Sequence, residues 1–223
     1  MGRRTRARQT EFAFLRWGGA RKGAGRKPKG ERAKVSHRTR APLASRFPVH
    51  VTMRLRNGLP SLRRASELRA LCGAFEGGAQ RFGFRLNQYS VQTTHLHLLV
   101  EAPDRRALSR GVQGLAVRVA RRLNRLWTRK GKVFADHYHD RILRTPKEVR
   151  NALAYVLNNA KRHGIFHAGV DGFSSGRWFD GWRGARPVDL GSAIVAKART
   201  WLQTIGWRRW GLISVDEVPR GSG

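Results

Sequence analysis

The chain is 223 residues long, with 46 Lys and Arg against 14 Asp and Glu, a formal net charge of +32, and 40% hydrophobic residues. The hydrophobic share allows one ordinary core, while so large a positive excess repels itself and points to an anionic partner, nucleic acid first. The single cysteine, Cys72, excludes an internal disulfide and a multi-cysteine zinc finger and suits a reducing cytoplasm.

Residues 1–45 read as a basic arm. The opening MGRRTRARQTEF is positive but lacks the apolar core of a secretory signal. No stretch approaches the ~20 apolar residues of a spanning helix, so no membrane partner is expected. The following GGARKGAGRKPKGERAKVSHRTR has no apolar periodicity and is expected to be disordered alone. Arg26 and Lys27 are candidate DNA contacts there, able to track phosphates or dip into a minor groove; the alternative is a solubilising tail.

Order begins at FPVHVTMRLR. Phe47, Val49, Val51, Met53 and Leu55 alternate with His50, Thr52, Arg54 and Arg56, the period of a strand with a polar second face. Leu68, Leu71, Cys72 and Phe75 then fall at i, i+3, i+4 and i+7, the stripe of an amphipathic helix, with Ser61 or Ser66 as its start. Two strands follow at about 84–92 and 95–102. From Asp104 to Gly131 the chain reads as one long basic helix, its apolar stripe carried by Leu115, Val119, Leu123 and Trp127, with Gly131 as the stop. KVFADHYHDRIL reads as a fourth strand. In TPKEVRNALAYVLNNAKRHG, Thr145 fits an N-cap, Pro146 the first helical position, Glu148 a capping box and Gly164 the end. The order β-α-β-β-α-β-α begins with the six elements of a ferredoxin-like split βαβ unit. This is an α+β antiparallel sheet with helices on one face, leaving the other for the last helix or a substrate. The expected division is the arm to residue 45, a domain over 46–165 and an extension over 166–223.

The stretch TTHLHLLVEA carries the chemistry. In a strand His95 and His97 share one face, and Leu96, Leu98 and Val100 the other. Such a pair can ligate a metal ion, though solvated or core histidines give the same spacing. Tyr155 and Asn159, four residues apart, share a helical face; a core tyrosine is the plainer reading. Taken together, two imidazoles and an amide oxygen form an incomplete set around a divalent ion, open to a phosphate oxygen. A tyrosyl oxygen beside that ion is a suitable nucleophile for a phosphodiester. The resulting phosphotyrosine keeps close to the energy of the bond broken, so cutting and rejoining need no ATP.

These parts resemble the single-tyrosine HUH transposases, most closely the REP-associated tyrosine transposases. The resemblance runs over about 45–165, in order: HVTMRLR, GFRLNQYSVQTTHLHLLVEA, LSRGVQGLAVRVARRLNRL, GKVFADHYHDRIL and NALAYVLNNAKRHG. It implies a ferredoxin-like HUH fold, with Tyr155 as nucleophile and His95, His97 and Asn159 as ligands of Mg²⁺ or Mn²⁺. It also implies single-stranded or hairpin DNA as substrate, a 5′-phosphotyrosine intermediate with a free 3′-hydroxyl, and a cytoplasmic, nucleoid-associated enzyme. Two positions depart from the family pattern. Asn159-Ala160-Lys161-Arg162 stands where close relatives read Asn-Pro-Val-Arg, and Thr94 stands where Asn is usual before the first histidine.

His50, Arg54, Arg56, Lys161 and Arg162 are the remaining candidate DNA contacts, His50 alternatively being a satisfied edge histidine. His137 and His139 offer either a second metal pair or a solvated strand, and Glu101 either orients a ligand or stays in water. In the extension, Trp178, Trp182, Trp201, Trp207 and Trp210 stand among Arg177, Arg183, Arg208 and Arg209. They suit stacking on unpaired bases or, the favoured reading, a small helical cap on the main domain. Val218-Pro219-Arg220-Gly221-Ser222 resembles part of a protease-tag site. Two rivals remain: a 2H-type phosphoesterase, which needs two His-x-Thr/Ser motifs where only one His-Leu-His exists, and a transposase-derived protein that binds structured DNA or RNA without cutting it.

Overall fold

The β1 strand, Val49–Arg54, turns Val49, Val51 and Met53 into the core and His50 and Thr52 to the opposite face. The computed structural model describes residues 40–162, 164–165, 169–184 and 192–219; the arm candidates Arg26 and Lys27 lie outside them. After β1 come α1 (Ala65–Glu76), β2 (Gln80–Arg81), β3 (Phe84–Val91), β4 (His95–Glu101), α2 (Arg105–Leu126), β5 (His139–Ile142), α3 (Pro146–Leu157) and α4 (Asn159–Arg162). The sheet order is β2-β3-β4-β1-β5, and every pairing is antiparallel. Because β4 inserts between β1 and β3, the α1 connection is the split βαβ crossover, and the fold is the α+β ferredoxin-like arrangement expected.

Several elements start or stop for reasons the hydrophobic pattern does not carry. Neither serine caps α1: its N-cap is Arg64, Ser61 accepts from the Arg63 N–H, and the Ser66 hydroxyl donates to Glu67. Asp104 caps α2 by accepting from the Ala107 N–H at 2.7 Å. That helix ends at Leu126, before Gly131, and the chain turns through Thr128 at φ +48°. The fourth strand of the sequence reading is broken in two. Val133 and Ala135 bond the far end of β1, and β5 proper begins only at His139. Between them Asp136 accepts the N–H of His137 at 2.8 Å, a local bond that competes with the ladder. The full capping box of Thr145 and Glu148 starts α3 as predicted, with Pro146 in the first turn. The helix stops at Leu157 rather than at Gly164, because the Asn158 side chain donates outward to the carbonyls of Ser214 and Glu217.

Both sheet faces are covered. On one, α1 and α2 bury Leu71, Phe75, Val112, Leu115 and Val119 against Val51, Leu86, Leu96, Leu98 and Val100. On the other, α3 meets Leu99 with Val149, Leu153 and Val156, and the extension closes over α3 with Phe179, Trp182, Leu202, Trp207 and Ile213. The tryptophans therefore divide: Trp182 and Trp207 are core, while Trp201 and Trp210 are about half exposed. The extension also runs along the outer edge of β3, the Val91 N–H donating to Phe173 and the Ala196 N–H to Leu86, so this edge is not left open. At the other end of the sequence, Leu43 is buried and Arg40 pairs with Asp140, so the body begins before residue 45.

Glu101, neither a ligand-orienting group nor a solvated one, is fully buried and pins the extension. Its carboxylate accepts from Arg85, from the backbone N–H groups of Arg199 and Thr200, from the Thr200 hydroxyl and from Gln203. Removing one member of such a network strands the others, at a cost of roughly 3–5 kcal/mol. Urea unfolding should show Glu101→Ala destabilised by about that amount, with amide exchange accelerated first at 199–204. A loss below about 1 kcal/mol, as for a surface pair, would contradict the pin.

Candidate active site

Four residues of β1 and β4 set the floor of the site. His95 is half-buried and His97 only 4% exposed, their rings 4.7 Å apart and nearly perpendicular at 86°. Thr52 lies directly opposite His97 across the ladder. The Nδ1 of His97 stands 3.2 Å from the Thr52 hydroxyl and 3.1 Å from Nε2 of His50. Burial first, and the Arg141 charge second, lowers the pKa of His50 to about 4, so it is neutral at neutral pH. With the His97 proton on Nδ1, that N–H donates to His50 or Thr52, and the buried Nε2 presents the lone pair. Thr94, the family departure, lies 3.4 Å from Nδ1 of His95.

The roof is α3. The ring of Tyr155 stands edge-on to His97 at 5.0 Å and to His50 at 5.7 Å, and the Arg162 guanidinium lies 5.5 Å from its centroid. Asn159 follows one turn later across the break at Asn158. It is fully buried, and among the described residues neither its Oδ1 nor its Nδ2 has a hydrogen-bond partner. An unsatisfied buried carboxamide costs roughly 1–3 kcal/mol and asks for a ligand. Among the described residues no three His, Cys, Asp or Glu side chains gather as a metal-ligand group. A His95/His97 pair therefore needs a donor of another type, and the Asn159 oxygen fits that need. A hard divalent cation suits an amide oxygen and two imidazoles with positions left for phosphate oxygens.

The other predicted residues are less uniform. Arg54, Arg56 and Arg162 are exposed and available to a phosphate. Lys161 is held at 2.6 Å by the Val215 carbonyl and at 2.9 Å by Asp216, so it is engaged within the protein. His137 and His139 are exposed, and no helix among the described residues is long and apolar enough to cross a membrane. Sequence reasoning missed Arg141, Lys147, Arg150 and Asn151, which line a cleft with His50 and Tyr155. The signal was there: Lys147, Asn151 and Tyr155 are spaced i, i+4, i+8 on one helical face.

The site thus sets a histidine pair of an antiparallel ferredoxin-like sheet beneath a helix-borne tyrosine. A sequence profile described as IS200-like transposase matches residues 45–159. The chain belongs to the IS200-like transposase family. Its fold is similar to that of a REP-associated tyrosine transposase solved bound to a REP hairpin. The TM-score is 0.54 at 18% identity, over 72% of this chain and 94% of that one. A transposase structure from Deinococcus radiodurans R1 aligns with a TM-score of 0.38 at 16% identity, over 61% of this chain and 100% of that one. No curated protein of matching sequence was found.

The orphaned carboxamide makes a test that does not depend on activity. Asn159→Leu should melt no lower than the wild type without metal, since it removes an unsatisfied polar group at similar volume. Mn²⁺ should raise the melting temperature of the wild type by binding only the folded state, and should raise that of Asn159→Leu much less. Equal Mn²⁺ shifts in both proteins would remove Asn159 from the ligand set.

Proposed function

We propose that the chain is a metal-dependent single-stranded DNA nickase and strand-transferase acting at hairpin-forming DNA. Tyr155 is the nucleophile, and His95, His97 and Asn159 hold Mg²⁺ or Mn²⁺. The observation that carries this reading is the placement of the Tyr155 ring edge-on at 5.0 Å to His97, with one turn beyond it the buried Asn159 amide, which has no hydrogen-bond partner among the described residues. Family membership supports transposition chemistry, and the hairpin held by the similar structure supports structured DNA as the substrate class.

In the first step the Tyr155 phenol loses its proton and its oxygen attacks the phosphorus. The P–O3′ bond breaks, and the departing oxygen takes up a proton to become a free 3′-hydroxyl. The 5′-phosphate stays on Tyr155. A 3′-hydroxyl from another strand then attacks the same phosphorus, the P–O bond to tyrosine breaks, and the phenol is reprotonated. No net bond energy is lost, so no nucleotide cofactor is required. A bound Mg²⁺ or Mn²⁺ supplies Lewis-acid polarisation of a non-bridging phosphate oxygen. The chain's own residues do the rest: Thr52 and His50 fix the tautomer of His97, α3 fixes the tyrosine, and Arg162, Arg54 and Arg56 meet neighbouring phosphates.

Labelled single-stranded DNA carrying the imperfect palindrome nearest the gene should give an SDS-resistant adduct with Mn²⁺ and none with EDTA. Tyr155→Phe should form no adduct while binding the hairpin within a few-fold of the wild type. An undiminished adduct in the Phe variant, or one in EDTA, overturns the assignment.

A further inference from the structure

The cleft beside Tyr155 is larger than a phosphate needs. It measures about 710 Å³ and is walled by α3 (Lys147, Asn151, Tyr155), by His50 and Arg141 of the sheet, and by Glu217, Val218 and Pro219 of the extension. That volume is in the range of pockets that hold whole organic ligands. Its cations are not equivalent. Arg150 is ion-paired to Glu217 and Arg141 to Glu148. Among the described residues no carboxylate pairs with Lys147; its ammonium instead stands 5.1 Å from the ring centroid of Trp210.

Trp210 ends a 3₁₀-helix, Gly206–Trp210, that packs along α3. Its neighbour Trp207 is 1% exposed and anchors that helix, whereas Trp210 leaves 54% of its surface in water. A rigidly mounted, open indole beside an unpaired ammonium matches the two halves of an unstacked nucleotide, a base face and a phosphate. A duplex buries its base faces and has no use for the indole. From Lys147 to Tyr155 the rise along α3 is about 12 Å; both residues line the cleft, and Trp210 stands outside that lining, beside Lys147.

We propose that the unpaired nucleotides flanking the bond that Tyr155 attacks run along this cleft and out past its Lys147 end, with Lys147 meeting a phosphate and Trp210, beside it, stacking on a base. The proposal rests on Tyr155 acting on DNA. It gives a role to the extension, which lies outside the 45–159 segment that matches the family. Trp201 is the natural control: it is 46% exposed, but it lies under Arg209 instead of beside the cleft's Lys147.

The test is binding of fluorescein-labelled (dT)10 to the full chain by anisotropy, in EDTA so that nothing is cut, across a salt series. Trp210→Ala should weaken binding at least about fivefold with an unchanged log–log salt slope, since stacking releases no counterions. Trp210→Phe should retain most of the affinity, and Trp201→Ala should stay within about twofold. Lys147→Ala should flatten the slope by about one phosphate contact, roughly 0.7. Trp210→Ala within twofold of the wild type overturns the proposal, as does an equal loss in Trp201→Ala. If Trp210→Ala weakens binding but Tyr155 forms no adduct with DNA, the cleft stands as a DNA site and only the chemistry falls. If the adduct forms and Trp210→Ala binds normally, the cleft assignment alone is wrong.

Discussion

Side chains on β4 alternate, so His95, His97, Leu99 and Glu101 stand in one line on the sheet, and burial deepens along it. His95 is half-buried, His97 is 4% exposed, and Leu99 and Glu101 are sealed. A strand so polar on its second face cannot leave that face uncovered at one end or close it at the other. At the deep end Glu101 satisfies its carboxylate with donors from Arg85 and the 199–203 segment, which locks the extension over α3. At the shallow end α3 crosses above the buried His97, and His95 and Tyr155 stay partly exposed beside the cleft. Histidine pair and clamp are two ends of one strand, so the extension that lies outside the family match is structurally tied to the face that carries the histidines.

The charge excess is distributed by the same economy. With only 14 acidic residues in the chain, several hold arginines or lysines in place: Asp171 takes Arg63, Asp140 takes both Arg40 and Arg105, Glu217 takes Arg150 and Asp216 takes Lys161. The outer face of α2 receives none of these partners, and Arg106, Arg110, Arg121, Arg122 and Arg125 stand exposed on it. Such a surface repels itself until polyanion neutralises it. The cations around Tyr155 are partly tied up, so a basic tally read from the sequence overstates how many can meet a phosphate there; Lys161 is the clearest case.

Much of this was legible because the periodicities are clean. The alternation in 47–56 and 95–102, the stripe of α1 and the complete Thr145 capping box each follow from local rules, and the His-Leu-His spacing fixed the polar face of β4. What failed to show were contacts made by residues distant in sequence. The break at Asn158 depends on carbonyls at 214 and 217, and the burial of Glu101 depends on donors at 199–203. The two-residue β2 is too short for any period to register, and the split before β5 turns on a single Asp136–His137 bond. The division of Trp182 and Trp207 as packed from Trp201 and Trp210 as exposed was not legible, because composition alone gives both classes the same neighbours.

The account's central claim is that the tyrosine above the histidine pair, and no other, carries the DNA strand. The chain has three tyrosines, and Tyr89 is buried in the core against Phe75 while Tyr138 lies under Arg40. Trimming the Mn²⁺-dependent protein–DNA adduct with nuclease, digesting it with protease and sequencing the nucleotide-bearing peptide by tandem mass spectrometry identifies the attachment residue. The account predicts a nucleotide 5′-phosphate on Tyr155 alone. A modified peptide containing Tyr138, or a nucleotide on a serine or histidine, would contradict it.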